Sequence, residues 1–168
     1  MNAEQKNFIE VVGAIASADM KNSGVAASLT TAQAILESAW GKSELTKTGN
    51  ALFGIKATKD WKGKTLTRKT TEYEDGKKVQ VEAEFRAYDT WEDSVKDHST
   101  FLKKYKRYAK VIGETDYKEA CNAVAAAGYA SDPEYAKKLI ELIETYELYN
   151  YDTKNTETDN LEAEEKKY

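Results

Sequence analysis

The sequence predicts an α+β domain in two lobes, with helices in one lobe and a single β-hairpin in the other. Apolar residues recur at helical spacing on both sides of the region 50–88, and within that region Asp75-Gly76 precedes a strictly alternating segment. The 168 residues have the length of one domain. We therefore expect this domain to span residues 1–149, with its β-lobe at about 50–88 and an acidic polar tail at 150–168.

The first two helices are predicted from their caps and their small apolar residues. The first covers about residues 3–20, because Asn2 and Gln5 have the spacing of a capping box. The second covers about residues 26–40 and ends at Gly41. Its small side chains would let neighbouring helices approach closely, which indicates a central position. The residues expected on its buried face are Leu29, Ala32, Leu36 and Ala39.

The hairpin is predicted from Asp75-Gly76, a pair typical of two-residue type I′ loops, in which both residues need a positive φ. With that loop, Glu74 pairs with Lys77 and Glu72 lies opposite Val79. Directly paired residues share a face of the sheet, so Glu72 would lie on the apolar, inward face. A longer, bulged loop would reverse this assignment.

Three further helices are predicted after the hairpin. One begins at Thr90, where Asp93 follows three residues later as a cap partner. Another covers about residues 117–127, and Asp132-Pro133 opens the last, since proline is favoured at the first helical position. The expected core face of the last helix consists of Leu139, Ile140, Ile143 and Tyr146.

Composition excludes several classes of site and partner. The single cysteine, Cys121, rules out an internal disulfide and a cysteine-based zinc cluster, and a lone His98 leaves mainly oxygen ligands for any metal. We therefore expect no metal and no cofactor. The net charge of −4 argues against nucleic acid as the main partner, and no apolar run is long enough to cross a membrane. The chain is expected to act as a monomer.

Glu37 is the residue with the clearest chemical potential, because it is the one carboxylate of an otherwise small and apolar helix. Gln33 and Trp40 lie one helical turn away and no cation does, so a position in a cleft would raise its pKa. Glycoside hydrolysis requires such an acid and a second carboxylate, for which Glu72 is the candidate. The alternatives are an exposed surface glutamate for Glu37 and a solubilising edge-strand charge for Glu72.

Two tyrosines, one histidine and one cysteine could each have either a structural or a functional role. Tyr129 and Tyr135 lie around a helix start in "GYASDPEY", where their rings could stack on sugars or pack the loop. His98 lies on the apolar stripe of its helix and is expected to be a buried structural histidine. Cys121, in an alanine-rich helix, is expected to be a small core residue.

Five ordered motifs resemble the family 73 glycoside hydrolases, the endo-β-N-acetylglucosaminidases of bacterial autolysins and phage lysins. They are "TAQAILESAWGKSEL", "NALFGIK", "TTEY", "FRAYDTWEDSVKDHSTFL" and "AGYASDPEYAKKL". The resemblance covers about Phe8 to Leu148. It implies a lysozyme-like fold for residues 1–149, in which a helical lobe and a small β-hairpin lobe flank a groove for a peptidoglycan glycan strand.

The resemblance also implies roles for individual residues. Glu37 corresponds to the catalytic acid, Glu72 to a second glutamate on the hairpin, and Tyr129 to a tyrosine of catalysis or substrate positioning. The residues assigned to substrate binding are Trp40, Asn50, Phe53, Gly54 and Tyr135. One departure is visible: Ala39 stands where the motif usually has glycine, a one-methyl change that is expected to be tolerated.

The implied reaction is hydrolysis of the β-1,4 bond between N-acetylglucosamine and N-acetylmuramic acid in bacterial cell walls. A muramidase, a lytic transglycosylase and a non-catalytic wall-binding virion module are the alternatives. Residues 56–78 carry eight basic and four acidic residues, which suits an anionic wall polymer. The N-terminus lacks the layout of a secretory signal, so delivery by a phage holin or virion, or a place in a secreted autolysin, is expected.

Overall fold

The computed structural model describes residues 1–153, where six α-helices and one two-stranded antiparallel sheet confirm the predicted α+β class. None of these helices is both long enough and apolar enough to cross a membrane. The predicted tail beyond residue 153 lies outside the described residues. The elements are α1 (Ala3–Ser23), α2 (Ala27–Ser38), α3 (Glu44–Gly49), β1 (Lys64–Glu74), β2 (Lys77–Ala87), α4 (Trp91–Lys104), α5 (Tyr117–Ala126) and α6 (Tyr135–Thr145), with 3₁₀ helices at Lys106–Tyr108 and Leu148–Tyr151.

The predicted caps of α1 and α4 are both present. The Asn2 side chain accepts from the Gln5 amide at 2.8 Å, and the Gln5 side chain accepts from the Asn2 amide at 3.1 Å, which completes the capping box. Thr90 accepts from the Asp93 amide at 3.1 Å at the start of α4. Helix α1 runs three residues beyond the predicted end, because Gly24 with φ of 75° closes it.

Helix α2 is central, as its small residues predict. Its first nine residues, 27–35, are all buried, and it packs against α1, α5 and α6. The prediction that Leu36 and Ala39 are also buried is wrong, since both are exposed. The reason is that the last turn of α2 exposes one face, which carries Leu36 and Glu37, while Ser38 stays buried.

Helix α2 ends at Ser38, two residues before the predicted end. Ala39, Trp40 and Gly41 have φ values of 50°, 62° and 80°, so three left-handed residues follow one another. The Ser38 hydroxyl donates to the carbonyl of Ala34 at 2.6 Å and accepts from the Gly41 amide at 2.8 Å. This turn reverses the chain directly after Glu37 and directs Trp40 into the helical lobe.

The hairpin has the predicted two-residue loop and register. Asp75 and Gly76 have φ values of 51° and 77°, as a type I′ turn needs. Glu74 pairs with Lys77, and Glu72 pairs with Val79. The half-buried residues alternate along both strands, so one face of the hairpin is turned towards the protein.

The base of the hairpin is fixed to the helical lobe by hydrogen bonds and one enclosed ion pair. The Tyr88 amide donates to the carbonyl of Gly49 at 2.8 Å. Arg86 contacts Asp97 of α4 at 3.2 Å, and their side chains are only 8% and 14% exposed. The Tyr88 hydroxyl donates to the same carboxylate. These contacts anchor the strand ends, whereas the loop end of the hairpin is exposed.

Two helix starts differ from the sequence predictions. Helix α3 was not predicted; it begins after Ser43, whose hydroxyl accepts from the Thr46 amide at 3.2 Å. Helix α6 begins at Tyr135, so the prediction that Asp132-Pro133 opens it is wrong. The Asp132 carboxylate instead accepts from the Glu134 amide at 2.9 Å, which forms a turn before the helix.

The segment that follows α6 caps the central helix. No side chain of α2's own N-terminal residues caps it. Instead, Asp152 accepts from the amide of Ser28 at 2.8 Å and from its hydroxyl at 2.7 Å. The Tyr151 ring lies against Gly13 of α1, where a methyl group would be only 2.6 Å from it. Residues 150–153, predicted as the beginning of the tail, are therefore packed on the helical lobe.

His98 and Cys121 are buried in the core, as expected. Burial lowers the pKa of His98 to about 3, so its ring is neutral at physiological pH. Burial raises the pKa of the Cys121 thiol to about 12, which keeps it protonated. Neither side chain is available as a nucleophile or a general base.

Candidate active site

Glu37, in the last turn of α2, opens onto a cavity of about 450 Å³. The cavity is bounded by the loop at residues 53–58, by α4 with the 3₁₀ helix after it, and by the loop before α6. Its walls combine aromatic rings with two cationic side chains. The lining residues are Glu37, Phe53, Gly54, Ile55, Lys56, Thr58, Phe101, Tyr105, Arg107, Tyr108, Tyr129 and Ala130.

The Glu37 residue as a whole is exposed, but its side chain lines the cavity and its carboxyl group accepts one hydrogen bond. The Tyr135 hydroxyl donates to Oε1 of Glu37 at 3.0 Å. Desolvation raises the pKa of Glu37 above its ordinary value, and the hydrogen bond from Tyr135 opposes that rise. A carboxyl group with a raised pKa that remains accessible from a cavity is suited to donate a proton near neutral pH.

Tyr129 forms the wall next to this carboxyl group. Its ring stacks on that of Tyr135 with the centroids 5.9 Å apart and the planes 11° apart. Burial and the nearby charge of Glu37 raise the pKa of Tyr129, so its hydroxyl stays protonated. Edge contacts with His98, Phe101 and Tyr108 hold the ring in place.

Phe53 and Gly54, both predicted to bind substrate, line the same cavity. The Phe53 ring stacks on His98 at a centroid distance of 4.0 Å, which fixes the loop against α4. Gly54 has φ of 61°, and a methyl group there would meet no atom within 4 Å. Its glycine identity is thus required by the backbone conformation rather than by crowding.

Of the residues predicted to bind substrate, Trp40, Asn50 and the buried Tyr135 are not among those that line the cavity. Trp40 packs edge-on against Tyr146 and Phe8, with centroids 5.2 and 6.0 Å apart. The Asn50 amide donates to the carbonyls of Tyr88 and Asp89, both at 3.1 Å, and so joins the end of α3 to the base of the hairpin. Both side chains support the elements around the site.

Glu72 lies on the exposed part of the hairpin and is not among the residues that line the cavity. Its Oε1 lies 3.4 Å from Nζ of Lys56, which does line the cavity. Both side chains are largely accessible, at 60% for Lys56 and 45% for Glu72. The second predicted carboxylate is therefore connected to the cavity through Lys56.

The sequence model described as mannosyl-glycoprotein endo-beta-N-acetylglucosaminidase matches residues 13–148, which is most of the chain. The chain belongs to this glucosaminidase family. The match includes α2 with Glu37, the whole hairpin and the loop that holds Tyr129. The five motifs that suggested the resemblance thus lie on one family domain.

Relatives of this domain are named as an exo-glucosaminidase, a peptidoglycan hydrolase and an autolysin. Exo-glucosaminidase LytG of Bacillus subtilis is 40% identical over 90% of this chain, and peptidoglycan hydrolase FlgJ of Salmonella typhimurium is 33% identical over 96%. The chain spans 55% and 52% of their lengths, about half of each. The catalytic domain of the autolysin Auto from Listeria monocytogenes has a TM-score of 0.82 at 34% identity, covering 90% of this chain and 89% of that one.

Sequence reasoning did not identify five polar residues that line the cavity: Lys56, Thr58, Tyr105, Arg107 and Tyr108. The Arg107 guanidinium lies over the rings of Tyr108 and Tyr105, at 4.9 and 5.4 Å from their centroids. The run "KKYKRYAK" at residues 103–110 has five basic residues and no acidic one, which was a usable signal. Lys56 belongs to the basic excess of residues 56–78, but its place at the cavity depends on how the loop folds across it.

Three other cavities in the described residues hold none of the predicted site residues. A second cavity, of about 400 Å³, lies where the base of the hairpin meets α4, and none of the predicted site residues lines it. Residues 1–153 contain no group of three histidine, cysteine, aspartate or glutamate side chains placed to hold a metal ion. Glu37 and its aromatic wall are therefore the strongest candidate for the active site.

Proposed function

We propose that this domain hydrolyses the β-1,4 bond of peptidoglycan between N-acetylglucosamine and N-acetylmuramic acid, on the reducing side of the glucosamine. The observation that carries the proposal is Glu37, a carboxyl group with a raised pKa at the wall of an aromatic cavity, in a chain of the glucosaminidase family. In this reaction Glu37 protonates the oxygen of the leaving sugar.

The hydrogen bond from Tyr135 sets which oxygen of Glu37 carries the proton. Oε1 accepts from the Tyr135 hydroxyl, so the transferable proton is on Oε2. Desolvation raises the pKa of Glu37 above that of a solvated glutamate, which favours the protonated form that general-acid catalysis needs.

Glu72 is the proposed second carboxylate. It would activate water for an inverting attack, or stabilise an intermediate that the substrate's own N-acetyl group assists. Its place on the exposed part of a hairpin anchored at its base, beside Lys56, supports delivery of the carboxylate to bound substrate.

The cavity walls suit an N-acetylated, anionic glycan. The half-buried rings of Tyr105 and Tyr129 offer apolar surface against which sugar rings can pack. Lys56 and Arg107 place positive charge beside the same surface, which favours the carboxylates that peptidoglycan carries. We propose that the domain acts on wall glycan strands as a monomer, delivered by a phage holin or virion or as part of a secreted autolysin.

Glu37→Gln tests the assignment, because glutamine keeps the shape and removes the acid. We expect loss of at least about a hundredfold in kcat on purified cell walls, with an unchanged melting temperature. Glu44→Gln, an exposed glutamate on α3, is the matched control and should keep full activity. A Glu37→Gln variant with more than a few per cent of wild-type activity would refute the proposal.

Mass spectrometry of the digest then identifies the bond that is cut. New reducing ends of N-acetylglucosamine support the proposed specificity. Reducing N-acetylmuramic acid indicates a muramidase, 1,6-anhydro ends indicate a lytic transglycosylase, and no soluble product indicates a wall-binding module.

A further inference from the structure

Four side chains form a continuous hydrogen-bonded chain that runs from the cavity into the core. Tyr135 donates to Glu37 at 3.0 Å, Gln33 donates to the Tyr135 hydroxyl at 3.0 Å, and Nε2 of His98 lies 2.9 Å from Oε1 of Gln33. Gln33 and His98 are fully buried. They belong to different helices, α2 and α4, and neither lines the cavity.

The direction of each hydrogen bond follows from the chemistry of the groups. A tyrosine has one proton, so a Tyr135 hydroxyl that accepts from Nε2 of Gln33 keeps that proton for Glu37. Oε1 of Gln33 is then the acceptor for the N–H of His98. His98 is neutral, so its one proton lies on Nε2, and its Nδ1 has no partner within residues 1–153.

Without the histidine N–H, the amide of Gln33 could rotate by half a turn. Its oxygen would then face the Tyr135 hydroxyl and compete with Glu37 for the single tyrosine proton. The stacking of Phe53 on His98 holds the ring that prevents this rotation.

We propose that Gln33 and His98 are positioning residues, which orient the Tyr135 hydroxyl so that it donates to Glu37 and places the acidic proton on Oε2. The inference rests on the proposed function of Glu37 as the acid. The two residues act through Tyr135 and touch no substrate.

The test requires that other groups around Glu37 stay unchanged. The titratable and charged side chains that face it from the surrounding elements are Tyr129 and Tyr135 near the start of α6, Lys56 in the loop, and Tyr105, Arg107 and Tyr108 after α4. Gln33→Met keeps the identity of all of them, and His98→Phe keeps an aromatic ring against Phe53 and Tyr129, the two cavity residues that His98 contacts. A change in the titration of Glu37 then reports the hydrogen-bonded chain.

Gln33→Met and His98→Phe remove the donors while keeping the approximate shape, and His98→Gln restores an N–H near the position of Nε2. Thr31→Val is the matched control, since Thr31 is buried in α2 and its hydroxyl has no partner within residues 1–153. The carboxyl ¹³C signal of Glu37, identified by its loss in Glu37→Gln, gives the titration directly. Activity against pH and the melting temperature are measured beside it.

We expect Gln33→Met and His98→Phe to move the Glu37 titration, and the basic limb of the activity profile, to higher pH. A weakened hydrogen bond to the carboxylate no longer opposes the effect of burial. In addition, kcat falls about tenfold or more with little change in KM, because the acid loses its orientation. His98→Gln recovers most of the wild-type titration, and Thr31→Val leaves it unchanged.

A double substitution separates positioning from a purely structural role. In a Tyr135→Phe background, Gln33→Met should produce no further change in the Glu37 titration, because the residue that transmits the effect is gone. An unchanged titration in Gln33→Met, or an equal shift with and without Tyr135, would overturn the proposal. The NMR titration does not depend on activity, so failure of the proposed function is recognised separately, by an active Glu37→Gln variant.

Discussion

Lys56 links the cavity of Glu37 to the hairpin, because its ammonium lies 3.4 Å from the Glu72 carboxylate while the same side chain lines the cavity. The pair is solvent-accessible, so its attraction is screened and contributes little to folding. An accessible pair of this kind connects the carboxylate to the cavity and still lets it separate from Lys56 to reach bound substrate.

Glu72→Gln should therefore separate activity from stability. We expect kcat on cell walls to fall by about tenfold to a hundredfold, and the melting temperature to stay unchanged, because the ion pair that is lost is exposed. Glu82→Gln is the matched control: it changes a glutamate of β2 that pairs with Lys69 on the opposite face. Equal activity of the two variants would remove Glu72 from the mechanism.

Tyr129 and Tyr135 lie side by side but should respond differently to loss of the hydroxyl. Tyr135→Phe removes a hydrogen bond to the ionised carboxyl, so burial raises the Glu37 pKa further and activity persists to higher pH. Tyr129→Phe leaves that hydrogen bond intact and should lower kcat without moving the basic limb. Profiles of kcat/KM against pH measure both effects, and a shift in the Tyr129 variant alone would contradict the assignment.

The left-handed turn after α2 predicts opposite effects at two neighbouring positions. Ala39→Gly should increase the free energy of unfolding by about 1 kcal/mol, because Ala39 is exposed and its φ of 50° suits glycine better. Gly41→Ala should decrease it by about 1 kcal/mol or more, since φ is 80° and the new methyl would lie 3.1 Å from the Phe8 ring. Denaturant unfolding measures both; a destabilised Ala39→Gly variant would show that the turn carries no strain.

Asp152 should contribute to stability as a cap of α2. Asp152→Ala is expected to lower the free energy of unfolding by about 1 kcal/mol, whereas Asp152→Asn keeps an acceptor for the Ser28 amide and should lose less. Burial raises the pKa of Asp152, so its contribution is complete below the ordinary aspartate pKa and declines as the pH rises through the folded-state value. The difference in the free energy of unfolding between wild type and Asp152→Asn, measured by urea denaturation, should therefore shrink with rising pH. A difference that grows with pH would contradict the raised pKa of Asp152.

Features set by local chemistry could be predicted from the sequence. The Asp75-Gly76 loop determines the whole hairpin register, because a two-residue type I′ turn leaves only one pairing. The caps at Asn2 and Thr90 mark their helices for the same reason. Helix α3 was not predicted because its six residues are too few to show a periodic pattern. The predicted start of α6 was wrong because Asp132 forms a turn and the helix begins only at Tyr135.

The arrangement of the site depends on contacts between distant parts of the chain. Glu37 was recognised from its isolated charge in an apolar helix, but its hydrogen-bond donor, Tyr135, is 98 residues away. Trp40 is close to Glu37 in sequence, yet the left-handed turn at Ala39 directs it to Phe8. Spacing along a helix could not reveal either outcome, since both depend on how α2 ends and what packs beyond it.

Asp152 caps the first turn of α2, and Glu37 lies in its last turn. Ser28, which Asp152 contacts, and Glu37 are nine residues apart, which places the cap roughly 13 Å along the helix axis from the acid. A linker, a fluorophore or a solid support that replaces residues 154–168 would thus be joined at the opposite end of the helix from the cavity. This separation makes that position a suitable attachment point for immobilised preparations that must still admit long polymers.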